Sequence, residues 1–181
     1  MQQVIILLAD GFEEAEALVP ADLLLRAGAD VVLASADGQE TVTGSHGFRV
    51  SADRPLSGLD VRQAACLFLP GGKAGTERLG ANPLVLQAIR TAAESGLLVA
   101  AICAAPSILG RNGYLDGRKY ACYPGFEAFV PNGIRSTEKI EQDGRFLTGE
   151  GMGVAQEFGL RMVRLLFGGE TEEQLRKKIR A

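Results

Sequence analysis

Short apolar runs alternate with stretches of helical periodicity along most of this chain, and that alternation limits the fold more than any single motif. The runs are VIILLA (4–9), DVVLASA (30–36), ACLFLP (65–70) and LLVAAI (97–102). A strand with one wet face alternates polar and apolar residues. A run that is apolar throughout belongs in a sheet covered on both faces. Between the runs, EEAEALVPADLLLRAG (13–28) has helical spacing, with Pro20 restarting or kinking the helix and Gly28 ending it. Asn82-Pro83 supplies an N-cap and a first-turn proline for another helix. Its apolar face is Val85, Ala88, Ile89 and Ala92, and Gly96 closes it.

A further helix is expected from about Ala104. KYACY (119–123) is a candidate fifth strand, and KIEQDGRFLT (139–148) reads as a hairpin around Asp143-Gly144. A helix with Ala155, Phe158, Met162 and Leu166 inward follows. The tail TEEQLRKKIR (171–180) opens with capping-box spacing, Thr171 to Gln174, and runs from acids to bases as the helix dipole prefers. Strands alternating with helices predict an α/β three-layer sandwich around a mostly parallel sheet, with residues 1–181 as one domain.

Charge and motif content remove several function classes. The chain carries 22 acids against 19 bases, a formal charge of −3, so no basic face for nucleic acid is expected. Cys66, Cys103 and Cys122 are odd in number and widely spaced without CxxC, which fits a reducing cytoplasm better than a disulfide framework. VIILLA lacks a basic leader, and the longest uncharged run, Ser95 to Gly110, is broken by Gly and Pro. No targeting segment, bilayer span or membrane partner is therefore expected. A single histidine, His46, excludes multi-histidine zinc sites, and GxSxG is absent. TGEGMG (148–153) has Val154 where a dinucleotide fingerprint needs its third glycine, so it reads as a strand-to-helix turn. GGKAGT (71–76) lacks P-loop spacing.

In open α/β sheets, ligands bind beyond the carboxyl ends of the strands. Three segments fall there: Asp10 to Glu16, Gly71-Gly72, and Cys103. Cys103 at a strand-to-helix turn faces free helix N–H groups, which lower a thiol pKa by roughly one unit. It reads equally as a small buried core residue. Cys66 in mid-strand reads as structural, and Cys122 as a bystander or a second thiol. Gly71-Gly72 alone is a plain turn, and the residues alone do not choose among Glu13, Glu14 and Glu16.

ADGFEEAEALVPADLLLRAG, FLPGG, AAICAAPSIL and YPGFE, in that order, resemble the ThiJ/PfpI superfamily, in the bacterial branch close to the human parkinsonism-associated protein DJ-one. The resemblance covers essentially the whole chain. It implies a flavodoxin-like homodimer with a nucleophile-elbow cysteine, Cys103, paired to Glu16. The backbone N–H groups of Gly72 and Ala104 then form an oxyanion site, with Gly71, Tyr123 and His46 around the substrate. Where DJ-one has a histidine before a proline, this chain has Tyr123 before Pro124, which removes the usual proton relay. His46 aligns with an anion-contacting arginine of the relatives, and equally suits a surface loop.

A thiolate and a carboxylate at ~4 Å repel by roughly 4 kcal/mol at an effective dielectric of about 20, so the pair is expected to share one proton, held by Glu16. Such a site needs no metal or organic cofactor. The implied activity is of the glyoxalase III or deglycase type on small aldehydes such as methylglyoxal, or on glycated substrates. The alternatives are an oxidative-stress sensor or chaperone that uses oxidation of Cys103, and an amidase- or protease-like hydrolase.

Overall fold

The computed structural model describes residues 2–181. The chain opens with β1 (Gln3–Leu8), α1 (Glu14–Arg26) and β2 (Asp30–Ser35), then three short strands, β3 (Thr41–Thr43), β4 (Arg49–Ser51) and β5 (Arg54–Pro55). Next come β6 (Cys66–Leu69), α2 (Lys73–Ala81), α3 (Pro83–Glu94), β7 (Leu98–Ile102) and α4 (Pro106–Arg111). The remainder is β8 (Lys119–Tyr120), β9 (Ile134–Arg135), β10 (Ile140–Asp143), β11 (Phe146–Gly149), α5 (Ala155–Phe167) and α6 (Gly169–Ile179).

Seven strands form the central sheet in the order β10-β11-β7-β6-β1-β2-β5. Every neighbouring pair is parallel except β10 with β11. From β1 the chain moves outward to β2 on one side and later to β6 on the other. The strand order therefore reverses beside β1, where open α/β sheets place their ligand crevice.

The apolar runs behave as buried strands because both faces are covered. In β1, Ile5 and Leu7 join a core with Leu79 of α2, Val85 and Ile89 of α3 and Ile108 of α4. Val4, Ile6 and Leu8 of the same strand join the opposite core, with Ala17 and Leu24 of α1, Phe158 and Met162 of α5 and Leu175 of α6. Each fully buried large side chain contributes about 1.5–3 kcal/mol. The α/β sandwich around a mostly parallel sheet, read from the alternation, and the flavodoxin-like fold that the resemblance implied are the observed architecture. No helix among the described residues is long and apolar enough to cross a membrane.

Several elements differ from expectation. KYACY is not a strand of the central sheet: only Lys119 and Tyr120 are extended, and they pair with β9. The Ala121 amide is taken by Thr148 Oγ1 at 2.9 Å, which ends the ladder. The fifth long parallel strand is β11, the return arm of the hairpin, in register with β7 from Phe146↔Val99 to Gly149↔Ile102. KAGTERLGA forms α2 despite two glycines, because a β-carbon at Gly75 would lie 2.7 Å from the Phe12 nitrogen and only glycine permits that approach. The Thr171–Gln174 capping box is not made. α6 starts two residues earlier, behind Gly168, and the Thr171 hydroxyl donates to the Phe167 carbonyl. α4 begins at Pro106 rather than at about Ala104, because residues 103–105 form a tighter turn, with the Ala105 amide bonded to Ile102 and the Ser107 amide to Ala104, both at 3.1 Å.

α1 and α5 meet closely at Gly159, where a β-carbon would lie 2.8 Å from Leu23 Cδ1 and 2.9 Å from Pro20 Cα. Gly159→Ala is expected to destabilise the protein by about 1–3 kcal/mol through overpacking. Equilibrium denaturation checks this, and an unchanged midpoint contradicts the packing described.

Candidate active site

The site is assembled from four strand ends. β7 delivers Cys103 in the left-handed region at φ 65°, a conformation shared among non-glycine described residues only with Arg180. Strain of that kind costs on the order of 1–3 kcal/mol and persists only where surroundings over-determine it. Here the Cys103 amide donates to Gly149 of β11 at 2.9 Å, and its carbonyl accepts from Tyr123 at 2.8 Å. The turn lifts the thiol out of the strand, leaving Cys103 part-exposed while Ile102 and Ala104 beside it are buried.

Glu16 arrives from the first turn of α1 and is 1% exposed. The Gly71 amide donates to its Oε2 at 2.9 Å, the Met152 amide also bonds its carboxyl, and its side chain is in hydrogen-bonding contact with Cys103. Gly71 is tightly specified: a β-carbon there would run into Glu16 Oε2 and lie 2.5 Å from Cys103 Cβ. Its N–H is committed to Glu16, so Gly71 orients the carboxyl and does not add to the oxyanion donors. The amides of Gly72 and Ala104 point at the sulfur instead.

Burial pushes the Glu16 carboxyl up to about 7, with the Glu13 charge adding to the rise. Burial, and then the charge of ionised Glu16, push the Cys103 thiol up to about 12, against the pull of the Gly72 and Ala104 amides. The expectation of an acidic Cys103 beside a Glu16 that holds the shared proton is therefore corrected: burial outweighs the two amides, and the thiol is raised further than the carboxyl. Groups that repel so strongly titrate as a unit. Ionising one member raises the other, so the pair keeps one proton after the first has left.

The wall opposite Gly71 comes from the β11–α5 turn, a segment with no chemical motif in the sequence. A β-carbon at Gly151 would stand 3.9 Å from Glu16 Oε1, 4.0 Å from Cys103 Sγ and 3.4 Å from the Tyr123 ring. A cavity of about 310 Å³ opens there, lined by Tyr123, Lys139, Glu150, Gly151 and Met152. Tyr123 is half exposed at this mouth and stacks edge-on against Phe126. Gly151 and Met152 belong to TGEGMG, which reads from sequence as a strand-to-helix turn with no part in the site. The signal available was their place after a buried strand at the carboxyl edge.

His46 lies elsewhere than at the thiol. Its Nδ1 is 3.0 Å from Glu14 Oε2 and 3.4 Å from Glu13 Oε1, in the loop between β3 and β4. Its pKa is raised by the bond to Glu14 and by both carboxylate charges. Glu14 receives the His46 amide at 2.8 Å and the Ser45 hydroxyl at 3.1 Å. Burial opposes its ionisation, yet these bonds hold Glu14 down at about 2. Among the described residues, Glu13, Glu14 and His46 bring donor atoms within 4.8 Å, close enough to share a metal ion, but the Glu14 oxygens and the His46 ring already bond one another and Ser45. Cys66 is wholly buried and its thiol is raised far out of the reactive range. Cys122 is buried against Arg135, whose Nη1 lies 3.0 Å from its sulfur, and burial pushes it up to about 11.

A parallel α/β sheet with a positive-φ cysteine at a strand-to-helix turn, faced by a buried carboxyl from the first helix, defines an elbow-cysteine protein of flavodoxin-like fold. Residues 2–165 match the DJ-1/PfpI family, and the chain belongs to that family. It is 32% identical to Protein dj-1beta of Drosophila melanogaster, over 97% of this chain and 95% of that one. It is 29% identical to the glutathione-independent glyoxalase DJR-1.2 of Caenorhabditis elegans, over 97% of this chain and 94% of that one. The crystal structure of a cysteine-to-alanine mutant of a DJ-1 superfamily protein from Salmonella typhimurium matches with a TM-score of 0.93 at 33% identity, covering 99% of this chain and 98% of that one.

Two pH effects on stability follow. Folded Glu16 keeps a proton that the unfolded chain releases, so native stability falls as pH rises from the ordinary 4.5 to about 7. Glu16→Gln escapes that loss, and its stability relative to wild type is expected to improve by roughly 1–3 kcal/mol between about pH 5 and pH 8. Denaturant midpoints at the two pH values check this; a constant difference contradicts it. Glu14 has the opposite sign: its contribution is present above 4.5 and disappears as pH falls towards about 2. Glu14→Gln is therefore expected to be less stable than wild type at neutral pH and to converge with it in acid. Parallel acid-unfolding curves would contradict the Glu14 assignment.

Proposed function

We propose that this protein is a cofactor-independent cysteine enzyme acting on small reactive aldehydes such as methylglyoxal. The observation that carries the reading is a nine-tenths-buried carboxyl in contact with an elbow thiol, with two backbone amides aimed at the sulfur. The name of the Caenorhabditis elegans relative, a glutathione-independent glyoxalase, supports it.

In the reactive form the shared proton sits on Glu16 and the charge on sulfur, which Gly72 and Ala104 stabilise by donating to it. The thiolate adds to the aldehyde carbon, and the carbonyl electron pair becomes an oxyanion that these donors accommodate. Glu16 protonates that oxygen, giving a hemithioacetal and a carboxylate. The carboxylate then takes the proton from the former aldehyde carbon and returns it to the adjacent ketone carbon, while the hydroxyl proton of the first carbon passes to the oxygen of the second. The first carbon is oxidised to a thioester as the second is reduced to an alcohol, so no outside electron acceptor is required. Water releases lactate and restores the thiol. Removal of glycation adducts shares the first step. Tyr123, at the mouth, bounds the substrate side, and His46 reaches the site only through the charge it offers Glu13.

The second reading is a redox sensor. The same donors, with a protonated Glu16, support a sulfinate on Cys103. A hydrolase of amidase or protease type lacks its usual base, since the one histidine is bonded to Glu14.

Purified protein is expected to convert methylglyoxal to lactate without added thiol. Cys103→Ser should abolish turnover, and Glu16→Gln should lower kcat by at least about 100-fold, the scale of lost general acid–base catalysis. No turnover, together with stoichiometric peroxide oxidation of Cys103, contradicts the enzyme and favours the sensor.

A further inference from the structure

On the opposite face of the same sheet edge, α2, α4 and the segment 125–129 enclose a cavity of about 420 Å³, a size suited to a small ligand. The chemistry above does not use it. Lys73, the first residue of α2, and Arg111, the last of α4, both line it. The Arg111 guanidinium rests 4.0 Å over the Phe129 ring, which fixes its position and leaves its charge uncompensated. Thr76, on the same wall, is 4% exposed, and its Oγ1 has no hydrogen-bond partner among the described residues. A buried hydroxyl in that state is destabilising until something bonds to it. Ser107, 2% exposed, adds a second hydroxyl, and Glu77 is the one acid on the wall.

We propose that this cavity binds the phosphate group of a small phosphomonoester. Lys73 and Arg111 face its charge, the Ser107 hydroxyl donates to its oxygens, the Thr76 hydroxyl turns from its shielded position to donate as well, and Glu77 accepts from its P–OH. Two cations against one acid leave a single positive charge, which a singly protonated phosphate matches. That phosphate also brings a donor for Glu77, the one acid on the wall. Neither sulfate nor a carboxylate carries an acidic proton at neutral pH for Glu77 to accept. The assignment is independent of the reaction at Cys103.

Calorimetric titration of the full chain with inorganic phosphate, glycerol phosphate, sulfate and lactate tests it. Both phosphates are expected to bind, the ester at least as tightly as the free ion, and sulfate and lactate about tenfold more weakly, a difference of one hydrogen bond to a charged group. Arg111→Met should weaken phosphate by a similar factor. Thr76→Val is the decisive variant, because it removes the orphan hydroxyl without changing shape. Its ligand-free Tm should rise while its phosphate-induced shift shrinks, and misfolding cannot produce that combination. Absence of phosphate binding, equal binding of sulfate, or a phosphate shift unchanged in both variants overturns the proposal.

Discussion

The contact between Glu16 and Cys103 organises much of what surrounds it. A carboxyl at 1% exposure is unfavourable unless its charge is shared or its proton retained, and both adjustments are visible. The Gly71 and Met152 amides bond it, and burial raises its pKa towards neutrality. The strained turn at Cys103 places the sulfur where that proton can be exchanged. Neither feature helps the chain fold, and both draw on stability supplied by the two cores. Costs of this kind concentrate at functional sites.

The frame that absorbs these costs is built from β1, β6, β7 and β11, whose carboxyl ends deliver all four walls of the site. Because each strand is locked in register with its neighbours, the groups are held by rigid elements rather than by free loops. The Cys103 amide bonded to Gly149 shows the coupling directly: the elbow is an extension of the β7–β11 ladder. The two faces then divide the work. α1 brings Glu16 to one side of the sheet edge, while α2 and α4 leave a basic, hydroxyl-lined cavity on the other.

How much of this was legible in the sequence depends on whether the signal was local. The runs from Val4, Ala65 and Leu97 announced buried parallel strands because hydrophobicity alone specifies them. α2 was missed because its Gly75 serves a close approach to the Phe12 backbone, a tertiary reason with no periodic signature. The exchange of KYACY for β11 as the fifth long strand turned on one side-chain bond from Thr148. Within the site, Cys103 stood out by its place at a strand end, but Glu16 could not be separated from Glu13 and Glu14 without the family resemblance. In space the three diverge: Glu16 faces the sulfur, Glu14 the His46 loop, and Glu13 lies between. The direction of the Cys103 shift was also hidden, since it reflects how deeply the turn is enclosed.

The most direct measurement is the carbon NMR titration of the Glu16 carboxyl, with the peptide selectively labelled at glutamate and assigned through Glu16→Gln. A buried carboxyl coupled to the sulfur titrates well above the ordinary 4.5, near 7, with a midpoint that moves when Cys103 is alkylated. A resonance that ionises near the ordinary 4.5, indifferent to the state of the sulfur, would contradict it.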